Sequence, residues 1–348
     1  MNKLSDFGNK TLINRYGEIR KDSHKITDFF YNKPCKIILI YKGRFVCKAS
    51  QLQLFELFEL QKMTSLEEFK PLFIKAKKNN QLPRNTIYLG NIESPNSEQP
   101  SPEKFTEEHL FVVPLAHSII INEEIELLDS RSLAFSSSAK IVEILFYTQG
   151  LVSWHFDHQF CAKCGNKTEV SHSGHSRQCL SSDCYKEHFP RIEPAVIFSI
   201  CRRATDNQPD DKILLARQSS WPEKRFSVIA GFAEHGENLE QSVAREAYEE
   251  VGLNVDNIHY MGSQPWPFPA SLMVGFSCET INQEIRLIDK ELESAKWFSA
   301  SEIKQQVESG ELLTPFSISI SWKILDHWYK QQTGQSINSL NSRSVQNK

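Results

Sequence analysis

The chain has 348 residues, of which 40% are hydrophobic, enough for two or three domains with ordinary cores. Forty Lys and Arg stand against 43 Asp and Glu, a formal charge of -3; that excludes an overall pull toward nucleic acid or anionic lipid, so any polyanion binding must be local. No apolar run approaches a membrane span and MNKLSDFGNKTLINRYGEIR lacks the apolar core of a secretory signal, so the expectation is an intracellular protein with no membrane partner.

Within that address the cytoplasm is the default. Basic residues near the start are interleaved with Asp6, Glu18 and Asp22, which argues against a mitochondrial presequence, and VQNK at the end is not of the S-K-L type that directs proteins to peroxisomes. Residues 1–130 carry strand-like KIILIYKGRFVC and LFVVPLA with a polar loop, NIESPNSEQPSPEKF, and no catalytic motif. From 131 to 160 the spacing of Ile141, Leu145 and Trp154 predicts a connecting helix.

Residues 161–189 hold Cys161, Cys164, Cys179 and Cys184 as C-x2-C-x14-C-x4-C, two knuckles with Gly165 just past the first pair. That spacing suits one structural zinc per chain in a tetrahedral thiolate site. The long second spacer leaves His172 or His175 as alternatives to one thiolate, and two local disulfides conflict with a reducing compartment. Short and of mixed charge, the ribbon is read as a structural clamp rather than a nucleic-acid reader. Cys35, Cys47, Cys201 and Cys278 lie in apolar, strand-like contexts and are expected to be buried thiols.

Residues 190–332 read as a catalytic domain: strand-like IEPAVIFSICR and KILLARQ, a helix from Asn238 to Gly252, strands ASLMVGFSCET and AKWFS, then helices SEIKQQVESGE and ISISWKILDHWYK. Asn238 with Gln241 forms a capping box, Leu239, Val243, Ala247 and Val251 face a core, and Gly252 ends the helix. This order suits an α/β/α sandwich on a mixed sheet. The polar stretch 333–348 lacks periodicity and is expected to be disordered.

On the first of these helices Glu246, Glu249 and Glu250 share one wall, where like charges repel. Such a wall is stable when solvated or when it holds magnesium or manganese, which prefer carboxylate oxygens. The stretch from Gly231 to Leu253 decides between these. It reads G-x5-E-x7-R-E-U-x-E-E-x-G-U, with U apolar, and seven identities at roughly 7% each recur by chance about once in 10^8 starting positions.

This pattern resembles the Nudix box, and SQPWPFPAS, ten residues beyond it, resembles the signature of the NADH pyrophosphatase branch. The resemblance runs from about Leu133 to Trp328 and implies an α/β Nudix sandwich preceded by a zinc ribbon and a divergent N-terminal α+β domain, paired as a homodimer. It implies metal-dependent hydrolysis of NADH, and more weakly NAD, to the mononucleotide and AMP, and extends to NAD-capped RNA. Another dinucleotide substrate, or a non-catalytic nucleotide- or RNA-binding module, are the alternative readings.

By position, Glu246, Glu249 and Glu250 are the implied catalytic residues. Glu246, Glu250, Glu291 and the carbonyl of Ala230 are implied magnesium or manganese ligands, with Glu249 a ligand or the base. Arg245 and Glu237 should brace the loop and helix as an ion pair. Gln264, Pro265, Trp266, Pro267, Phe268, Pro269, Ala270 and Ser271, read as a stiff loop, should line the dinucleotide pocket, with Phe232 near a base or phosphate. Phe189 stands where the family often has an aromatic hydroxyl, and Ser321 where alanine is usual; both are carried over as substrate-binding positions.

Overall fold

The computed structural model describes residues 11, 13–62, 75–93, 107–115, 125–204, 210–288 and 290–340. They divide into two compact units: one reaches to Arg191 and includes Pro267–Ala270, the other comprises Ile192–Trp266 and the chain from Ser271 onward. The N-terminal region, connecting helix and ribbon, read from the sequence as separate segments, therefore cluster together. No helix among the described residues is long and apolar enough to cross a membrane.

In the first unit, β1 (Ile13–Asn14), α1 (Ser23–Asn32), β2 (Cys35–Tyr41), β3 (Arg44–Lys48), β4 (Gln51–Leu52), α2 (Leu57–Lys62), β5 (Ile87–Glu93), β6 (Glu107–Leu115) and β7 (Glu126–Leu128) precede two helices, α3 (Ser130–Ser136) and α4 (Ala139–Asp157). The strands form a sheet in the order β1-β5-β6-β2-β3-β4, with β7 also on β3, and only β2 and β6 run parallel. Ile26 and Phe30 of α1 pack on Ile37, Leu39, Tyr88 and Phe111. The expected connecting helix is thus two, broken where Ser137 is extended and Ser138 caps α4. Of the expected loop NIESPNSEQPSPEKF, residues 91–105, the first three finish β5 and the rest lie outside the described residues.

The ribbon follows as β8 (Thr168–Ser171), β9 (Ser176–Cys179) and β10 (Glu187–His188), in the order β10-β9-β8. It is built onto the N-terminal sheet. His175 Nε2 lies 2.7 Å from the carbonyl of Tyr88, Ser173 Oγ donates to the carbonyl of Arg20 at 2.8 Å, and Gly174, at φ +94°, passes so close to Ile87 that a Cβ there would sit 2.6 Å from its Cγ2. Burial pushes His155 and His175 down to about 4, so both stay neutral near pH 7. Arg177, buried beside them, donates to the hydroxyl and carbonyl of Thr168 and lies 3.1 Å from His155 Nδ1.

The second unit contains β11 (Glu193–Arg202), β12 (Lys212–Arg217), β13 (Ile229–Phe232), α5 (Leu239–Val251), β14 (Asp256–Trp266), β15 (Ser271–Glu279), β16 (Ser294–Ser299), α6 (Ala300–Ser309) and α7 (Ile320–Thr333). Its sheet runs β14-β15-β11-β12-β16, with β13 also on β11 and the β11–β15 pair parallel. Alternate residues of β11 serve opposite layers, as strand geometry requires. Val196, Phe198 and Ile200 meet Val243, Ala247 and Val251 of α5, whereas Ile197 and Cys201 join the cluster that holds Ile303, Ile324 and Trp328 of α6 and α7. This is the expected α/β/α sandwich on a mixed sheet, and the four cysteines outside the ribbon are buried as expected.

Two expectations are corrected. Order continues past Thr333: Ser336 Oγ and the Ile337 amide both donate to Asp326 Oδ1, and Ile337 and Leu340 are buried with the α6–α7 cluster. Two apolar side chains and one buried carboxylate suffice to anchor a turn that polar composition concealed; residues 341–348 lie outside the described residues. Nor is SQPWPFPAS all loop, because Ser263–Trp266 finishes β14 and Ser271 opens β15, leaving only 267–270 as the turn.

The approach of Gly174 to Ile87 predicts that Gly174→Ala lowers stability in urea unfolding by about 1–3 kcal/mol, the scale of overpacking plus a left-handed alanine. Gly43, also left-handed at φ +75°, has nothing within 4 Å of its Cβ direction. Gly43→Ala should cost only about 1 kcal/mol, and equal losses would show that the close approach is unimportant.

Candidate active site and zinc ribbon

The carboxylate wall is positioned by both ends of α5 and by the strand before it. Asn238 and Gln241 exchange side-chain-to-backbone bonds at 2.8 and 2.9 Å, and Gly252 closes the helix at φ +70°. Gly231 lies on β13, where a Cβ would land on the Glu246 carboxylate. Only glycine lets that carboxylate rest over the backbone beside Ala230.

Arg245 is the hub of the wall. Its Nε and Nη2 reach the two oxygens of Glu237 at 2.6 and 3.1 Å, its Nη1 reaches Glu246 at 2.9 Å and Glu249 at 2.8 Å, and Nη2 also donates to the Phe232 carbonyl at 2.8 Å. The expected brace forms and holds two further acids. The Arg245 bonds hold Glu237 down to about 2. Glu246 instead sits above the usual carboxylate range, chiefly because it is desolvated; Arg245 pulls it down, and repulsion from Glu249 and Glu291 raises it further against that pull. Glu291, on the exposed stretch before β16, is thereby in the electrostatic field of the wall.

Glu250 points elsewhere. It is 3% exposed and lines a pocket of about 230 Å³ together with Ala230, Gln264, Trp266, Met273 and Ser321. Five of the sequence-derived site residues therefore share one wall with the first strand-turn of the box. Gln218, Trp221 and Ser319 line it too and were missed, because nothing in their local pattern marks them.

Other positions are used differently. Gln264 lines the pocket while both amide atoms are committed: Nε2 donates to the Ile318 carbonyl and Oε1 accepts from the Ile320 amide, each at 2.7 Å. It shapes the entry to α7, where Ser319 caps the helix and its Oγ lies 2.8 Å from that of Ser321. Phe268 is not on the pocket wall. Within the first unit, the Arg131 guanidinium lies 4.7 Å over its ring and Phe146 meets it in an edge contact at 5.5 Å. Pro267 packs beside Gly150. Pro265 and Pro269 are exposed, Ala270 is partly buried and Ser271 buried; Phe189 and Phe232 are exposed at 58% and 56% and neither lines the pocket.

The ribbon's four thiols lie within 4.8 Å of one another, the one such group of metal-binding side chains gathered among the described residues. Sγ of Cys161 is 3.8 Å from that of Cys184, and Cys164 is 3.5 Å from Cys179. A tetrahedron with zinc–sulfur bonds of about 2.3 Å has edges of about 3.8 Å, so the donor set fits zinc. The histidine alternatives fail: His175 bonds to the N-terminal sheet, and His172 lies 2.8 Å from Glu187 and 3.1 Å from Ser176. Asn166 Nδ2 and the Ser181 amide donate to Cys164 and Cys179 at 3.5 Å, and His188 Nε2 lies 3.2 Å from Cys161, offering the outer hydrogen bonds that thiolate sites need.

Comparison with known proteins agrees with both centres. Residues 194–314 match the NUDIX domain model and residues 157–189 match the NADH pyrophosphatase zinc ribbon domain. The NAD-capped RNA hydrolase NudC of Mycobacterium bovis is 35% identical over 257 residues, covering 71% of this chain and 76% of that protein; NudC of Mycobacterium tuberculosis matches to the same extent. Human NAD-capped RNA hydrolase NUDT12 is 33% identical over 197 residues, 54% of this chain and 41% of its own. With the NudC relatives matched over three quarters of their length and both domain models met, the chain belongs to the Nudix hydrolases, in the group that carries the NADH pyrophosphatase zinc ribbon.

Proposed function

We propose that the protein hydrolyses the pyrophosphate of NADH, and more slowly NAD, to the nicotinamide mononucleotide and AMP, and makes the same cut at the 5' NAD cap of RNA. The observation that carries this reading is that Glu250 of the Nudix box and Ala230, the residue just before the box, both line the pocket. A pocket of about 230 Å³ is below the roughly 300–1,000 Å³ of sites that enclose drug-sized ligands. It therefore suits one ring of a dinucleotide while the pyrophosphate stays at the carboxylates.

Water attacks a pyrophosphate poorly because its oxygens carry dense negative charge; magnesium or manganese, when bound, supplies the opposing charge and orients the water. We assign Glu246, Glu250, Glu291 and the Ala230 carbonyl as the groups that would hold it. Both the oxygen-only donors and the Gly231 cradle over Glu246 fit such a hard cation. Arg245 keeps Glu246 and Glu249 in place and tempers their mutual repulsion. Glu249, half exposed at the rim of the wall, acts as a further ligand or takes the proton from the attacking water. Trp266 and Met273 flank the pocket and offer a flat apolar surface to a base. Zinc at the four thiols is structural, since all four positions of a tetrahedron are taken by protein sulfur. A homodimer completes the proposal.

Three outcomes are expected. Glu250→Gln should lower turnover of NADH by about two orders of magnitude, the scale of removing one electrostatic group from a developing charge, with unfolding nearly unchanged. Near-normal turnover at saturating magnesium would remove Glu250 from the mechanism. Purified protein should hold about one zinc per chain and Cys179→Ser should lose both the metal and much folded material; metal analysis reads this directly. Trp266→Ala should raise KM for NADH roughly 5- to 150-fold, the range for lost base–aromatic stacking. A wild type with no preference for NADH favours the reading as a hydrolase of another dinucleotide.

A further inference from the structure

Gln218 and Trp221, the pocket residues that no sequence pattern marks, are the two ends of one turn. β12 stops at Arg217, and the Trp221 amide then donates to the Gln218 carbonyl at 3.1 Å, closing a β-turn whose first and last residues both line the pocket. The second half of the same loop is fastened elsewhere: the Phe226 amide donates to the Leu313 carbonyl at 3.1 Å, and the Leu313 amide to the Lys224 carbonyl at 2.8 Å. The first half hangs on a side chain. Arg217 Nη2 donates to the Trp221 carbonyl at 3.1 Å, while Nη1 pairs with the Glu293 carboxylate.

Glu293 is itself fixed by the backbone, because its amide donates to the Arg217 carbonyl at 2.9 Å and its neighbour Ser294 faces Arg217 across β12 and β16. One guanidinium thus bridges a turn and a strand end. Its planar fork aims two N–H groups at two targets in fixed directions, which an ammonium cannot do. The Arg217 side chain is only 12% exposed, so losing the carboxylate would leave a shielded cation without its counter-charge. Arg217 itself does not line the pocket. We propose that Arg217 is a positioning residue for the substrate ring: it holds the Gln218–Trp221 turn in the pocket wall, where Trp221 and Trp266 together supply the aromatic surface that receives a base. This rests on the pocket taking one ring of a dinucleotide. The carboxylates act on the pyrophosphate and not on the ring, so a loosened turn removes binding that is equal in ground and transition states, which raises KM and leaves kcat.

The test uses full-length zinc-loaded protein, with steady-state turnover of NADH and calorimetric binding of two probes, AMP and nicotinamide mononucleotide, without magnesium. Arg217→Lys keeps the charge but not the fork. It should raise KM and weaken at least one probe by about 5-fold or more, the lower end for a lost base–aromatic contact, with kcat within about 2-fold of wild type. Trp221→Ala should do the same, and in the Trp221→Ala background Arg217→Lys should add nothing, because the arginine acts through that ring. Additive effects overturn the proposal, since they would make Arg217 a general brace of the fold. So does a fall in kcat at unchanged KM, or a Trp221→Ala variant that binds both probes as wild type does. If Arg217→Lys does not fold, Glu293→Gln, at a half-exposed carboxylate, takes its place in the same cycle and is read by the same outcomes. Weakened probe binding in a protein whose wild type prefers another dinucleotide to NADH leaves the role of Arg217 standing and sinks the substrate reading alone.

Discussion

Repulsion among the carboxylates of α5 is the constraint around which the catalytic unit is arranged. Three acids within five residues of one helix oppose each other, and a fourth, Glu291, adds to the same field. Arg245 answers with a single guanidinium that reaches three carboxylates and one carbonyl. Its planar fork can do this where an ammonium could not. The remaining acid, Glu250, is buried at the pocket wall. The helix thus carries two acids held by one guanidinium and a third that lines the pocket, and Gly231 supplies the room that a side chain would have closed.

The sheet beneath explains why these groups hold their places. β11 is buried along both faces and pairs with β12, β13 and β15. It pairs directly with the strand that carries Ala230, and α7 packs on one of its faces. Gln264 then spans from β14 to the entry of α7 with both ends of its amide, so a residue that lines the pocket also sets the backbone that bounds it. Two short bonds to buried backbone groups make such a side chain costly to free, since each orphaned partner would forfeit its hydrogen bond.

The ribbon shows a second use of constraint. A short loop with four thiols has little core of its own, and a metal that fits their spacing supplies what packing cannot. Yet the same loop also bonds to Tyr88 and Arg20 and presses Gly174 onto Ile87. Zinc and the N-terminal sheet together thus hold a loop that neither its length nor its own apolar content would.

Local pattern alone determined much of this. The capping box, the apolar face of α5 and its glycine stop are properties of neighbouring residues, and so they were legible at Asn238, Gln241 and Gly252. The cysteine spacing likewise implied one cluster, because two knuckles about fifteen residues apart have few other ways to meet. What the tertiary structure decided were the assignments that depend on partners far along the chain. His175 looked like a spare ligand until its ring met Tyr88; Ile337 and Leu340 looked like tail until Asp326 tied the turn beneath them. Periodicity and motif spacing report which residues are neighbours within an element. Whether a polar or aromatic group is free to do chemistry depends on what the rest of the fold brings against it, and only the folded chain holds that information.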